Sequence, residues 1–160
     1  MIDKYSTHIP VLEKACEVFH PKDIIEHGCG YYSTPLFRKY GYVKSIEHDN
    51  EWKEKINERY EVNIERGTDF SGCYLSAFDL AFVDGLREGR LRSIQQAQEC
   101  GVKVIIYHDA EKEGIYGYDK IKLGEYKRVI FKHECGKCTA VMWLGEEKVN
   151  EWEVDDHTVV

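Results

Sequence analysis

Apolar positions recur along this chain with two periods. Val11, Leu12, Ala15, Cys16, Val18 and Phe19 make one stripe, with Glu13, Lys14 and Glu17 outside it, which predicts an amphipathic helix over Ile9–Phe19 ended by Pro21. Beyond Pro21 the apolar runs are short: Ile24 and Ile25, then Tyr42, Val43 and Ile46, a weak run at 60–64, and near-continuous runs at 78–83 and 102–107. The last two suit strands buried on both faces of a parallel sheet. Helical patterns over 33–40, 50–59 and 88–100 alternate with them, and two closing strands are expected at 126–133 and 139–144 around the turn ECGKC. Residues 65–77 are too short and polar for a crossover helix. Strand–helix alternation followed by a hairpin predicts an α/β fold, a doubly wound and mostly parallel sheet with a C-terminal antiparallel hairpin strand.

Chemistry concentrates in residues 22–50. Ile24 and Ile25 lead into Glu26, and the chain then breaks into the turn Gly28-Cys29-Gly30. Ser33 or Thr34 can cap the helix that follows, and Pro35 fits its first turn. Gly41 stops the helix, and the next strand ends on Glu47, His48 and Asp49. This is a βαβ unit of about 30 residues. Two glycines one residue apart let a ligand lie against the main chain, and Glu47, 19 residues after Gly28, stands where a carboxylate takes ribose hydroxyls. The dinucleotide fingerprint wants a third glycine where this chain has Ser33. Glu26 would repel a pyrophosphate but would favour a sulfonium and an ammonium. S-adenosylmethionine therefore fits better than NAD.

The segments EHGCGYYST, SIEHDNEW, FDLAFVDGLREGR and VIIYHDA resemble the class I S-adenosylmethionine-dependent methyltransferases, in particular a small single-domain branch with E-x-G-x-G-x-S-T, EHD and VDG motifs. The motif resemblance runs from about residue 24 to 110, and the strand pattern continues it to about 144. It implies a Rossmann-like sheet and a cofactor site in which the Gly28–Gly30 backbone cradles the methionine part, Glu26 holds its amino end and Glu47 the ribose. Ser33, Thr34, His48, Asp69 and Asp84 complete the expected cofactor set, Asp69 standing where an acid can contact the adenine. Catechol-type relatives bind magnesium through an acid after the fourth strand and an Asp-Asn pair after the fifth. Asp84, His108 and Asp109 stand at those positions and could hold a divalent ion, but the Asp-Asn pair is absent. A site without metal is therefore the favoured expectation, and metal dependence is left open.

At 160 residues the chain is expected to form one domain over 1–145, followed by an acidic and partly mobile tail, 146–160, with Trp152 as its anchor. A formal charge of −7 argues against a sequence-independent grip on nucleic acid. No apolar run approaches the ~20 residues of a membrane helix and no signal-peptide pattern opens the chain, so a cytoplasmic protein without membrane contact is expected. Most of the six cysteines are read as small buried residues with no disulfide framework, and Cys135-Gly136-Lys137-Cys138 as a tight turn with half of a zinc-site spacing.

Glu26, Glu47, Asp84 and Asp109 all fall at strand carboxyl ends, where ligands of such sheets bind. Asp84, His108 and Asp109 are the candidates for taking the acceptor's proton, His108 because its ordinary pKa suits a base near neutrality. Arg87 and Arg90 are candidate clamps for a phosphate or carboxylate on the substrate. The resulting expectation is a methyltransferase acting on a small-molecule or protein acceptor. The alternatives are a non-catalytic cofactor-binding module or partner subunit and, less favoured, an NAD-dependent enzyme. The acceptor, and whether the chain forms a homodimer, are left open by the sequence.

Overall fold

A computed structural model of the chain describes residues 6–160; the first five residues of the expected 1–145 domain lie outside the described residues. Five parallel strands form the centre: β1 (Asp23–His27), β2 (Tyr42–Glu47), β3 (Asn63–Arg66), β4 (Leu80–Val83) and β5 (Val104–His108). Three antiparallel strands complete one side, β6 (Lys127–His133), β7 (Cys138–Trp143) and β8 (His157–Val159). The order across the sheet is β3-β2-β1-β4-β5-β7-β6-β8, which agrees with the doubly wound, mostly parallel expectation. Every residue of β4 and β5 is buried, because helices or loops cover both faces of the centre.

On one face α1 (Ile9–Phe19) and α2 (Ser33–Phe37) bury Val11, Leu12, Leu36 and Phe37 against Ile24, Phe82 and Ile106. On the other, α4 (Arg87–Glu99) packs Ile94 and Ala97 against Ile25, Val83 and Ile105. α3 (Asn50–Tyr60) starts with the Asp49 carboxylate accepting from the Trp52 N–H, with Glu51 in its first turn and Arg59 in its last, both favourable to the helix dipole. Between β3 and β4 there is no α-helix; a 3₁₀ turn at Leu75–Ala77 and the buried pegs Phe70 and Leu75 fill that place.

Two local expectations are corrected. α2 ends at Phe37 rather than at 40, and its N-cap position is Tyr32, with no side-chain cap. The acidic segment after Gly145 is laid on the sheet. Val149 is fully buried, Trp152 stacks on Phe131 at 5.9 Å and meets Phe19 at 5.8 Å, and β8 pairs with β6. A short α5 (Glu113–Tyr116) lies in the loop after β5. Among the described residues no helix is long and apolar enough to cross a membrane.

Candidate functional site

Parallel pairing of β2, β1, β4 and β5 brings their carboxyl ends to one edge, and a cleft of about 450 Å³ opens there. Its walls are His8, the turn Gly28–Ser33, Trp52 and Asp84. The turn is held close to the β4 loop. Gly28 has φ +91°, and a Cβ on it would lie 2.5 Å from Gly85 Cα. Gly30 is different: a Cβ there would meet nothing nearer than Ser33 Oγ at 3.6 Å, so its missing side chain leaves room in the cleft.

Glu26, Ser33 and Thr34 are brought together beneath this turn. Glu26 is fully buried, and its carboxyl group accepts from Ser33 Oγ, Thr34 Oγ1 and Ser45 Oγ, each at 2.7 Å. Thr34 Oγ1 also accepts from the Gly30 N–H at 2.9 Å. The two hydroxyls expected to cap α2 thus tie the glycine turn to β1. Burial pushes the Glu26 carboxyl up to about 7, against the opposing pull of its three hydroxyl partners. Ser33 also lines the cleft, whereas Glu26 and Thr34 lie behind it.

Glu47 stands at the end of β2 beside the turn. Its Oε1 accepts from the N–H groups of His48 and Asp49 and faces His48 Nδ1 at 2.8 Å. Its Oε2 lies 3.7 Å from Cys29 Sγ. His48 is exposed. Asp69 accepts from the Ser71 N–H at 2.7 Å in the loop after β3. Trp52 donates from its ring N–H to the Cys29 carbonyl at 2.7 Å and meets Tyr31 edge-on at 4.9 Å, so an aromatic pair flanks the turn.

Across the cleft the carboxyl ends of β4 and β5 carry a charge network centred on Arg90. Its Nε donates to the Gly85 carbonyl, its two terminal nitrogens to the carbonyls of Asp84 and His108, and both carboxylates of Asp84 and Asp109 pair with it at 3.0 and 3.3 Å. The Tyr116 ring covers it at 4.3 Å. With its donors turned to these acceptors Arg90 braces the floor of the site, and no donor of it is left over for a substrate clamp. Arg87 is exposed and donates to the Ile115 carbonyl.

Asp109 sits in the left-handed region at φ 55°, with Lys137 and Lys112 on Oδ1 and Arg90 and Tyr116 on Oδ2. Burial alone would raise its pKa; Lys137, His108 and Arg90 outweigh burial and hold it low. Asp84 is likewise held well below the usual carboxylate range, burial being outweighed by His108, His8 and Arg90. His108 Nδ1 lies 3.4 Å from Asp84 Oδ1, and its Nε2 lies 3.2 Å from Thr7 Oγ1.

His8 is the residue that sequence reasoning missed. Its ring lies 4.6 Å from that of His108 and stacks on Phe82 at 5.3 Å. Burial depresses it to about 4, with Asp84 opposing. No spacing ties position 8 to positions 84 and 108, so nothing in the sequence singles it out. Trp52 was missed too, since a tryptophan on an amphipathic helix reads as core.

The CGKC turn joins β6 to β7, as expected. There Cys135 Sγ is 3.0 Å from His133 Nδ1, and the His133 and His157 rings lie 5.0 Å apart.

No family model matches the sequence, and no curated protein matches it at a significant level. Solved structures do match. A protein of Klebsiella pneumoniae, provisionally assigned as an O-methyltransferase, aligns with TM-score 0.71 at 16% identity over 91% of this chain and 82% of its own. The O-methyltransferase of Bacillus cereus, solved with S-adenosylhomocysteine, aligns with TM-score 0.69 at 16% identity over 91% and 83%. The N-methyltransferase NodS of Bradyrhizobium japonicum, also with S-adenosylhomocysteine, gives TM-score 0.60 at 14% identity over 90% and 88%. The chain therefore has the Rossmann-like fold that these proteins share.

Proposed function

We propose that this protein is an S-adenosylmethionine-dependent methyltransferase acting on a hydroxyl or amine of a small molecule or a protein. One observation carries the reading: a single cleft joins a glycine turn, open at Gly30, to a carboxylate and imidazole cluster. The volume is that of a small-molecule site. The open face at Gly30 and the carboxylate of Glu47 suit the methionine and ribose parts of the cofactor, and the structural neighbours solved with S-adenosylhomocysteine support the same choice.

The cofactor supplies an activated methyl group on a sulfonium. The chain's own work is to hold donor and acceptor in line, which can provide most of the acceleration. With the cofactor bound, an acceptor held in line would form its bond to the methyl carbon as the carbon–sulfur bond broke with its electrons going to sulfur, and the acceptor's proton would have to be taken up. The Asp84, His8 and His108 cluster handles that proton. Asp109 is a positioning residue, fixing Arg90 under the carboxylate of Asp84. Glu26 fixes the turn from below through Ser33 and Thr34.

The test is calorimetric titration with S-adenosylhomocysteine beside NAD, with Glu47→Ala as control. Micromolar binding of the first ligand alone, lost in the variant, is expected. No binding, or binding of NAD instead, would overturn the reading.

A further inference from the structure

The cluster beside the cleft offers more donors than the handling of one proton needs. One ligand atom from each of His8, Asp84 and His108 lies within 4.8 Å of the other two. Among the described residues this is the one group of three or more His, Cys, Asp or Glu side chains drawn so close. Two further observations point to a ligand. His8 is 4% exposed, lines the cleft, and has no hydrogen-bond partner for its Nδ1; a buried polar atom left so is rare and costly. His108 is oriented from outside by Thr7 at its Nε2, while its Nδ1 faces Asp84. Outer hydrogen bonds of this kind set the ring of a metal-bound imidazole. The 3.4 Å between His108 Nδ1 and Asp84 Oδ1 matches the edge of a tetrahedron built on metal–ligand bonds of about 2.1 Å.

We propose that His8, Asp84 and His108 bind one divalent transition-metal ion through two imidazoles and a carboxylate. Two nitrogens and one oxygen suit zinc or a similar borderline ion, whereas magnesium and calcium take oxygen ligands. Three protein ligands leave a further position toward the cleft, the arrangement of a catalytic metal site rather than of a closed structural one. Arg90 holds the Asp84 carboxylate from below, as an orienting partner. An acceptor hydroxyl reaching the open position would ionise more readily, since a bound metal lowers the pKa of an attached oxygen. That role rests on the methyltransferase reading; the binding of the ion does not.

The test combines calorimetric titration of the chelator-treated full chain with zinc and the absorption spectrum of the wild-type protein with cobalt(II). One zinc per chain is expected. Affinity should fall more than tenfold in His8→Gln and in Asp84→Asn, and about tenfold in Thr7→Val, the usual cost of losing an outer partner. The cobalt form should show visible bands of a low-coordinate nitrogen and oxygen site without a thiolate charge-transfer band. Absence of zinc binding, or affinity unchanged in His8→Gln and Asp84→Asn, would overturn the proposal. So would a thiolate band, which would place the ion at Cys135 and its neighbours. The cobalt spectrum needs no variant, so a misfolded substitution leaves the test intact. S-adenosylhomocysteine binding without any metal binding would overturn the metal site alone; metal in the cluster without S-adenosylhomocysteine binding would overturn the methyltransferase reading alone.

Discussion

Gly28 and Gly85 face each other so closely that a methyl group on Gly28 would lie 2.5 Å from the Cα of its neighbour. Gly28 also has positive φ, whereas Gly30, two residues on, is open to the cleft. The two glycines of one turn therefore serve different ends, the first for folding and the second for access. Gly28→Ala should destabilise the protein by about 3 kcal/mol, the sum of left-handed strain and a backbone clash. Gly30→Ala should cost less than about 1 kcal/mol and yet weaken S-adenosylhomocysteine binding about tenfold. Urea unfolding and calorimetry on the pair separate the two effects; equal loss of stability in both would contradict the assignment.

Glu26 makes stability depend on pH in a direction opposite to most carboxylates. Unfolded, the group titrates near its ordinary 4.5; folded, near 7. Between those values the native state binds the extra proton, so the contribution of Glu26 to stability falls as pH rises through the window and is flat above it. The difference corresponds to about 3 kcal/mol. In Glu26→Gln this decline should vanish, so the variant gains on the wild type between about pH 4 and pH 8. Parallel pH profiles for the two proteins in denaturant unfolding would show that Glu26 titrates normally.

Arg90 and Arg87 lie three residues apart on α4 and should respond very unequally to removal. Arg90→Gln leaves Asp84 and Asp109 without their shared cation and should cost about 3 kcal/mol or more. Arg87→Ala should stay within about 0.5 kcal/mol of the wild type. A stable Arg90→Gln protein with only a raised KM for its acceptor would restore Arg90 as a substrate clamp.

Trp52 offers a direct optical readout of the cleft. Of the three tryptophans it alone lines that cleft, so ligand entry should change intrinsic fluorescence in the wild type and leave Trp52→Phe unchanged. The lost bond to the Cys29 carbonyl should weaken binding by about 1 kcal/mol, near fivefold. A full fluorescence response in Trp52→Phe would place the ligand elsewhere.

The sheet was legible because β4 and β5 are continuous apolar runs, a pattern that few other environments produce. The glycine turn and the acid at Glu47 were legible as spacing. Orientation was not. Ser33 and Thr34 read as helix caps because hydroxyls before a helix usually are; only the buried carboxyl of Glu26, seven and eight residues earlier, turns them inward. Arg87 and Arg90 carry the same charge, and the turn of α4 alone decides which is buried. His8 meets Asp84 and His108 through tertiary packing of α1 against β4 and β5, a contact between positions with no periodic relation. The grip of the last residues on the sheet rests on Trp152, which the sequence already marks as an anchor, and on Val149 and the three residues of β8, too short a signal to outweigh an acidic composition.

The strand formed by those last residues has a further effect. By pairing with Phe131–His133 of β6, β8 occupies hydrogen-bonding groups that a second molecule could otherwise have extended into a continuous sheet, and the strand it adds is only three residues long. At the opposite margin β3 is four residues long and carries the exposed charges of Glu65 and Arg66. Where β8 and β3 form them, the margins are thus poor templates for another chain. Loss of the final residues would therefore uncover Phe131–His133 of β6 as an edge open to another strand.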